Sequence, residues 1–166
     1  MSAVLHVVVM GVSGCGKSEV GRQLAQALDL PLIEGDAFHP QANIAKMREG
    51  LALDDTDRAG WLQRLAAELQ AHSGGAVLAC SALKTAYRDV LRGAVPGLHF
   101  VHLALTEQEA LRRVAQRPGH FYPSSLVASQ FQALQDPAGE TGVVVVDASL
   151  PPAQVLDQAL AKFNNP

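Results

Sequence analysis

Short β-branched runs alternate along this chain with longer stretches of helical periodicity. Leu5–Met10, Leu32–Glu34, Ala76–Cys80, His99–Ala104 and Val143–Asp147 read as strands. Val143–Val146 is an unbroken run of valine, the pattern of a strand covered on both faces. Ser18–Leu28, Arg58–Ala71, Ala82–Leu91, Thr106–Gln116 and Ser124–Leu134 read as helices. In the second of these, Trp61, Leu62, Leu65 and Leu69 fall on one face. Pro151–Phe163 supplies a last helix with prolines at its start. The alternation predicts an α/β fold, a five-stranded parallel sheet with helices on both faces. Two segments interrupt it: the long, polar, partly helical stretch 35–57, and the proline- and glycine-bearing stretch 117–124. In a compact domain such segments serve as substrate-binding elements or lids, or simply as surface loops.

Composition narrows the classes. The 166 residues fit one domain over 1–166, with 48% hydrophobic and 17% charged residues. A net charge of −3 argues against a nucleic-acid partner, so positive charge for an anionic ligand must be concentrated locally. The N-terminal apolar stretch is short, lacks a basic flank and runs into a glycine loop, which is neither a signal peptide nor a membrane span. The expectation is a cytoplasmic protein with no membrane partner. Cys15 and Cys80 are too few for a disulfide scaffold.

The strongest chemical signal is Gly11-Val12-Ser13-Gly14-Cys15-Gly16-Lys17-Ser18, a full match to the phosphate-binding G-x-x-x-x-G-K-[ST] loop between a strand and a helix. Glycines let successive backbone N–H groups turn toward phosphate oxygens, and the helix N-terminus adds its positive dipole end. Lys17 then reaches the β- and γ-phosphates of ATP, and the Ser18 hydroxyl ligates Mg²⁺. The third strand ends at Cys80-Ser81 with no acid, unlike GTPases and motor ATPases, whereas Asp36 follows the second strand closely. That is where a small-molecule kinase places an acid beside the acceptor hydroxyl.

Four blocks make the resemblance narrower: GVSGCGKS (Gly11–Ser18), EGDAFHPQANIAKMREG (Glu34–Gly50), CSALKTAYRDVLR (Cys80–Arg92) and RPGHFYPSSLVASQ (Arg117–Gln130), with a weaker fifth, LDDTDRAGWL (Leu53–Leu62). In that order they resemble the gluconokinase family of shikimate- and nucleoside-monophosphate-kinase-like P-loop proteins. The chain departs from the family pattern at Ala52 and Gly60 (usually proline), Tyr122 (methionine) and Gln135 (glutamate). The resemblance implies a P-loop NTPase fold with strand order 2-3-1-4-5 and a short lid over 117–124. It also implies transfer of the ATP γ-phosphate to the 6-hydroxyl of D-gluconate, and a homodimer.

On this reading Asp36 orients and deprotonates the substrate hydroxyl, or stands in the Mg²⁺ shell through water. The alternative for a strand-end acid is a helix cap. Gluconate's carboxylate calls for a cation, and Arg58, Lys84 and Arg88 are the candidates. Lys84 and Arg88, spaced i, i+4, are expected on one face of the Ala82–Leu91 helix. His39 is a candidate for the substrate hydroxyls or a structural histidine. Arg117 and His120 fall in the lid, where the resemblance implies closure over the phosphates. Arg113 is a candidate for adenine or phosphate, and a solubilising basic face competes for Arg112, Arg113 and Arg117.

Two other functions stay open at this point: a kinase for another small metabolite such as shikimate, and a nucleotide-binding regulator without turnover. The cysteines also carry two readings. Both fill tight space, or Cys15, near a helix N-terminus and Lys17, has a lowered pKa and is oxidisable.

Overall fold

The computed structural model of the chain describes residues 4–116 and 125–164. Its centre is the expected parallel sheet, in the order β2-β3-β1-β4-β5: β1 His6–Met10, β2 Leu32–Glu34, β3 Ala76–Ala79, β4 His99–Ala104 and β5 Val143–Asp147. β1 lies between β3 and β4, with Val9 in register with Ala79 on one side and Val101 on the other. Every residue of β1 is buried, which explains its lack of alternation.

The two faces of the sheet carry separate cores. Val7, Val9, Val101, Leu103 and Val146 pack against α1 (Lys17–Leu28), α5 (Glu107–Ala115), α6 (Ser125–Ala133) and α7 (Pro152–Asn164). Val8, Met10, Leu78 and Phe100 pack against α3 (Asp55–Ala71) and α4 (Thr85–Ala94). The chain leaves β1 toward β2 and leaves β3 toward β4, so the carboxyl ends of β1 and β3 border a switch point, where open α/β sheets bind ligands. There Gly11 N–H donates to the Ser81 carbonyl over 3.3 Å.

The partly helical stretch 35–57 holds a 3₁₀ turn, Gly35–Phe38, and the helix α2, Gln41–Arg48. Two local expectations are corrected. α3 starts at Asp55 rather than Arg58, because Asp54 and Asp57 form a reciprocal capping box. α4 starts at Thr85 rather than Ala82: Ala82 takes a left-handed φ of 47° and Lys84 is the extended N-cap. The Ala82 carbonyl, so turned, accepts from Arg88 Nη1 at 2.7 Å.

Candidate active site

The glycine loop connects β1 to α1 over the switch point. Gly16, at φ 90°, is the N-cap of α1, a backbone conformation that disfavours any side chain there. The turn closes through Cys15 N–H to the Val12 carbonyl at 3.2 Å, and Ser13 N–H donates to Gln130 Oε1 of α6 at 2.6 Å. Arg113 of α5 braces the loop, donating to the carbonyls of Gly14 (3.2 Å) and Ala148 (2.8 Å), with Glu109 Oε1 at 3.0 Å from its Nε. Glu109 is held down at about 2 by hydrogen bonds from Arg112 and Arg113.

Two cavities meet in front of this loop. The larger, about 700 Å³, is lined by Gly14, Gly16, Ser18, Ile44, Arg48 and Arg113. The smaller, about 40 Å³, is lined by Leu53, Arg58, Trp61, Ser81, Ser129 and Gln130. Ser13, Lys17, Asp36, His39 and Met47 line both, so the P-loop lysine and the acid after β2 stand at the junction.

The turn carrying Asp36 is fixed by packing. A side chain at Gly35 would place its Cβ 2.5 Å from the Ala79 carbonyl oxygen, so this close approach to β3 requires glycine. Trp61, 1% exposed, donates from Nε1 to the Gly35 carbonyl at 2.8 Å and stacks on His39 with ring centroids 4.3 Å apart. Asp36 itself projects into the junction with its side chain 70% exposed, and His39 Nε2 lies 3.9 Å from its Oδ1. Burial pushes His39 below the ordinary histidine range; the Asp36 carboxylate opposes this and Arg58 adds to it.

Glu34, at the end of β2, accepts from Ser18 Oγ at 2.9 Å. This second acid was readable in the same Glu-Gly-Asp stretch as Asp36, since it ends the strand that Asp36 follows. Gln130 and Asn43 had no comparable signal: amides in helices, brought to the site only by the fold.

Residues 7–140 match the profile of a family described as an AAA domain. A gluconokinase of Gluconobacter oxydans is 44% identical over 160 residues, 95% of this chain and 90% of that protein. The crystal structure of a gluconokinase from Sinorhizobium meliloti is 48% identical with a TM-score of 0.89, covering 95% of this chain and 90% of that one. The chain belongs to the gluconokinase family. The unliganded structure of a sugar kinase from Janibacter, 39% identical, superposes with a TM-score of 0.93 over 98% of this chain and 95% of its own.

Within this gluconokinase-family chain the three candidate cations separate. Arg58 lines the smaller cavity, with Nη1 3.2 Å from the Tyr87 hydroxyl. Lys84 lines neither cavity at the junction; it pairs with Asp55 at 2.9 Å, and the Tyr87 hydroxyl donates to the same carboxylate. Arg88 is fully buried, and its guanidinium is committed to Glu140, Thr85 and the carbonyls of Ala82 and Gln135. The expectation that Lys84 and Arg88 share a helical face at the substrate is corrected, because Lys84 caps α4 and Arg88 points inward. Gln135 helps to hold this arrangement: its Oε1 accepts from Thr85 N–H, the first amide of α4, at 2.8 Å.

The oxidisable reading of Cys15 is also corrected. Its thiol is buried beneath the loop, where a Cβ on Gly11 would lie 2.7 Å from its sulfur. Burial raises its pKa more than Lys17 and Arg113 lower it. Cys80 is buried in the core on the opposite face, with its thiol pushed up to about 12 by burial. Arg117, His120 and the expected lid 117–124 lie outside the described residues.

Proposed function

We propose that this chain transfers the γ-phosphoryl group of ATP to the 6-hydroxyl of D-gluconate, releasing ADP and 6-phospho-D-gluconate. The observation that carries the reading is the junction of the two cavities, where Lys17 and Asp36 face one space. The substrate comes from the relatives' names.

In this reading the larger cavity takes the nucleotide, with the P-loop amides, Lys17 and Arg113 toward its phosphates. The Ser18 hydroxyl, beside the Glu34 carboxylate, is an all-oxygen donor set that suits Mg²⁺. Bound there, the ion neutralises phosphate charge. The 6-hydroxyl of gluconate lies at the junction and the rest of the molecule runs into the smaller cavity, with Arg58 toward its carboxylate and His39, Ser81 and Ser129 toward its hydroxyls. Asp36 accepts the proton as the 6-oxygen bonds to phosphorus and the bond from phosphorus to the β–γ bridging oxygen breaks, its electrons leaving with ADP. Arg117 and His120 belong to this proposal as a lid that excludes water, the competing acceptor. A homodimer and a cytoplasmic location complete it; among the described residues, no helix is long and apolar enough to cross a membrane.

An ADP-release assay over a panel of sugar acids and polyols tests the reading. Gluconate-dependent ADP release is expected, with Asp36→Asn retaining ATP binding while kcat falls by about 10²–10⁴-fold. Release driven by shikimate and not gluconate, no turnover with any acceptor, or an Asp36→Asn enzyme at the wild-type rate would each count against it.

A further inference from the structure

His39 has its protonation pattern dictated from behind. Asn43, 2% exposed in α2, donates from Nδ2 to the Asp57 carbonyl at 2.9 Å, and the same nitrogen lies 3.2 Å from His39 Nδ1. A carboxamide turned the other way would set its oxygen against the Asp57 carbonyl, two acceptors with no proton between them. The backbone of α3 therefore orients the amide, and its second N–H faces His39 Nδ1, which must accept. A neutral imidazole has one N–H, so that proton sits on Nε2. Nε2 is the nitrogen 3.9 Å from Asp36 Oδ1.

Its side chain is 5% exposed and lies flat on Trp61, with an interplanar angle of 11°. A half-turn of the ring would keep that stack but set a C–H against the Asn43 N–H, leaving the amide without its acceptor. Trp61 is tied in turn to the Gly35 carbonyl, next to Asp36. The charged groups acting on the ring are Asp36 from its own turn and Arg58 from α3; burial keeps it neutral. At 3.9 Å the Nε2–Oδ1 gap is too long for a direct hydrogen bond and leaves room for a bridging oxygen.

We propose that Asn43 is a positioning residue that holds His39 as its Nε2–H tautomer, so that His39 donates a hydrogen bond to the acceptor hydroxyl oxygen lying between it and Asp36. Of the two, a donor on the His39 side leaves Asp36 as the group able to take the proton of this oxygen. It also points one lone pair of the oxygen at His39, leaving the other for phosphorus. The proposal rests on the kinase reading for the identity of that oxygen, whereas its direct test requires no turnover.

The test is long-range ¹H–¹⁵N correlation NMR on full-length protein labelled with ¹⁵N-histidine, with His39→Gln used to assign the His39 signals. The expected wild-type spectrum has Nε2 protonated and Nδ1 unprotonated; a protonated Nδ1 overturns the proposal. Asn43→Asp replaces the donor with an acceptor and should move the proton to Nδ1 or charge the ring. It should also lower kcat by about 5–10-fold, the loss of one hydrogen bond, with KM for ATP unchanged. An Asn43→Asp enzyme that keeps the neutral Nε2–H ring, or that changes tautomer at unchanged kcat, overturns it. If Asn43→Asp fails to fold, the wild-type spectrum alone decides the tautomer. If gluconate proves not to be the substrate, the tautomer is still read, so the two failures are distinguishable.

Discussion

The Ser18 hydroxyl donates to Glu34 Oε1 over 2.9 Å, joining the first turn of α1 to the last residue of β2. Both ends are set by the sheet: α1 follows β1 through the glycine loop, and β2 is placed by pairing with β3, Glu34 in register with Ala79. A hydroxyl held this way has its lone pairs directed while its proton is occupied, which suits a ligand for a hard cation.

Glu34→Gln should therefore raise the Mg²⁺ concentration needed for half-maximal activity by about 10–100-fold, as loss of an outer-shell carboxylate does. Titrating activity against Mg²⁺ at saturating ATP checks this. An unchanged midpoint would mean that the Ser18–Glu34 contact is structural only.

The separation of Arg58 from Lys84 makes substrate charge testable at single residues. Arg58→Ala should remove most of the preference for gluconate over neutral sorbitol, a loss of about 1.5–3 kcal/mol in kcat/KM for gluconate. Lys84→Ala should leave the gluconate-to-sorbitol ratio near wild type, because Lys84 lines neither cavity and its charge is paired with Asp55. Equal loss of preference in both variants would return Lys84 to the substrate.

Much of this was legible in the chain, for reasons that differ by element. β1 could be read because burial on both faces demands a continuous apolar run, and the glycine loop because phosphate binding demands small residues at fixed spacing. The four valines of β5 do form a strand, but the expected cover on both faces is corrected: β5 is the edge strand and Val145 is exposed. α2 was legible only as partial helicity within 35–57, without bounds: QANIAKMR has no apolar stripe, and its buried residue is the polar Asn43. The α3 start was present in the sequence as Asp54 and Asp57, a capping pair in aspartate rather than the commoner serine and glutamate. Arg88 misled because its partner, Glu140, stands 52 residues away, and spacing on one helix says nothing about so distant a contact.

That pair should govern acid stability. Glu140 is held at about 2, below the ordinary 4.5, first by its hydrogen bond from Arg88 and also by Arg92 and Thr85, with burial opposing. A carboxylate with a depressed folded-state pKa stabilises the fold at pH above its ordinary value. That contribution is lost as pH falls from about 4.5 through about 2. Glu140→Gln should cost about 3 kcal/mol at pH 7, because it leaves the fully buried Arg88 without its counter-charge. It should also flatten the fall in Tm across that acid window. Scanning calorimetry from pH 2 to pH 7 (about the span of the carboxylate titration) compares the two proteins. Parallel Tm curves for wild type and variant would show that Glu140 contributes nothing there.

The cysteines supply the last test. Cys15 lies two residues from Lys17 at a helix N-terminus, a setting that lowers a thiol's pKa when the sulfur is accessible. Here the sulfur is turned under the loop, in contact range of the position a Gly11 side chain would take, and burial outweighs the nearby cations. Cys80 is buried as well, in the core on the other side of the sheet, and burial pushes its thiol up to about 12. Neither thiol has the thiolate fraction or the access that oxidation and alkylation require. The folded protein should therefore release no chromophore from a disulfide reagent on the timescale on which free thiols react, and both cysteines should react after denaturation. Mild peroxide should leave activity unchanged whether or not ATP is present. Fast modification of Cys15 in the folded protein, slowed by ATP, would mean that the loop opens often enough to expose its sulfur, and would restore the oxidisable reading.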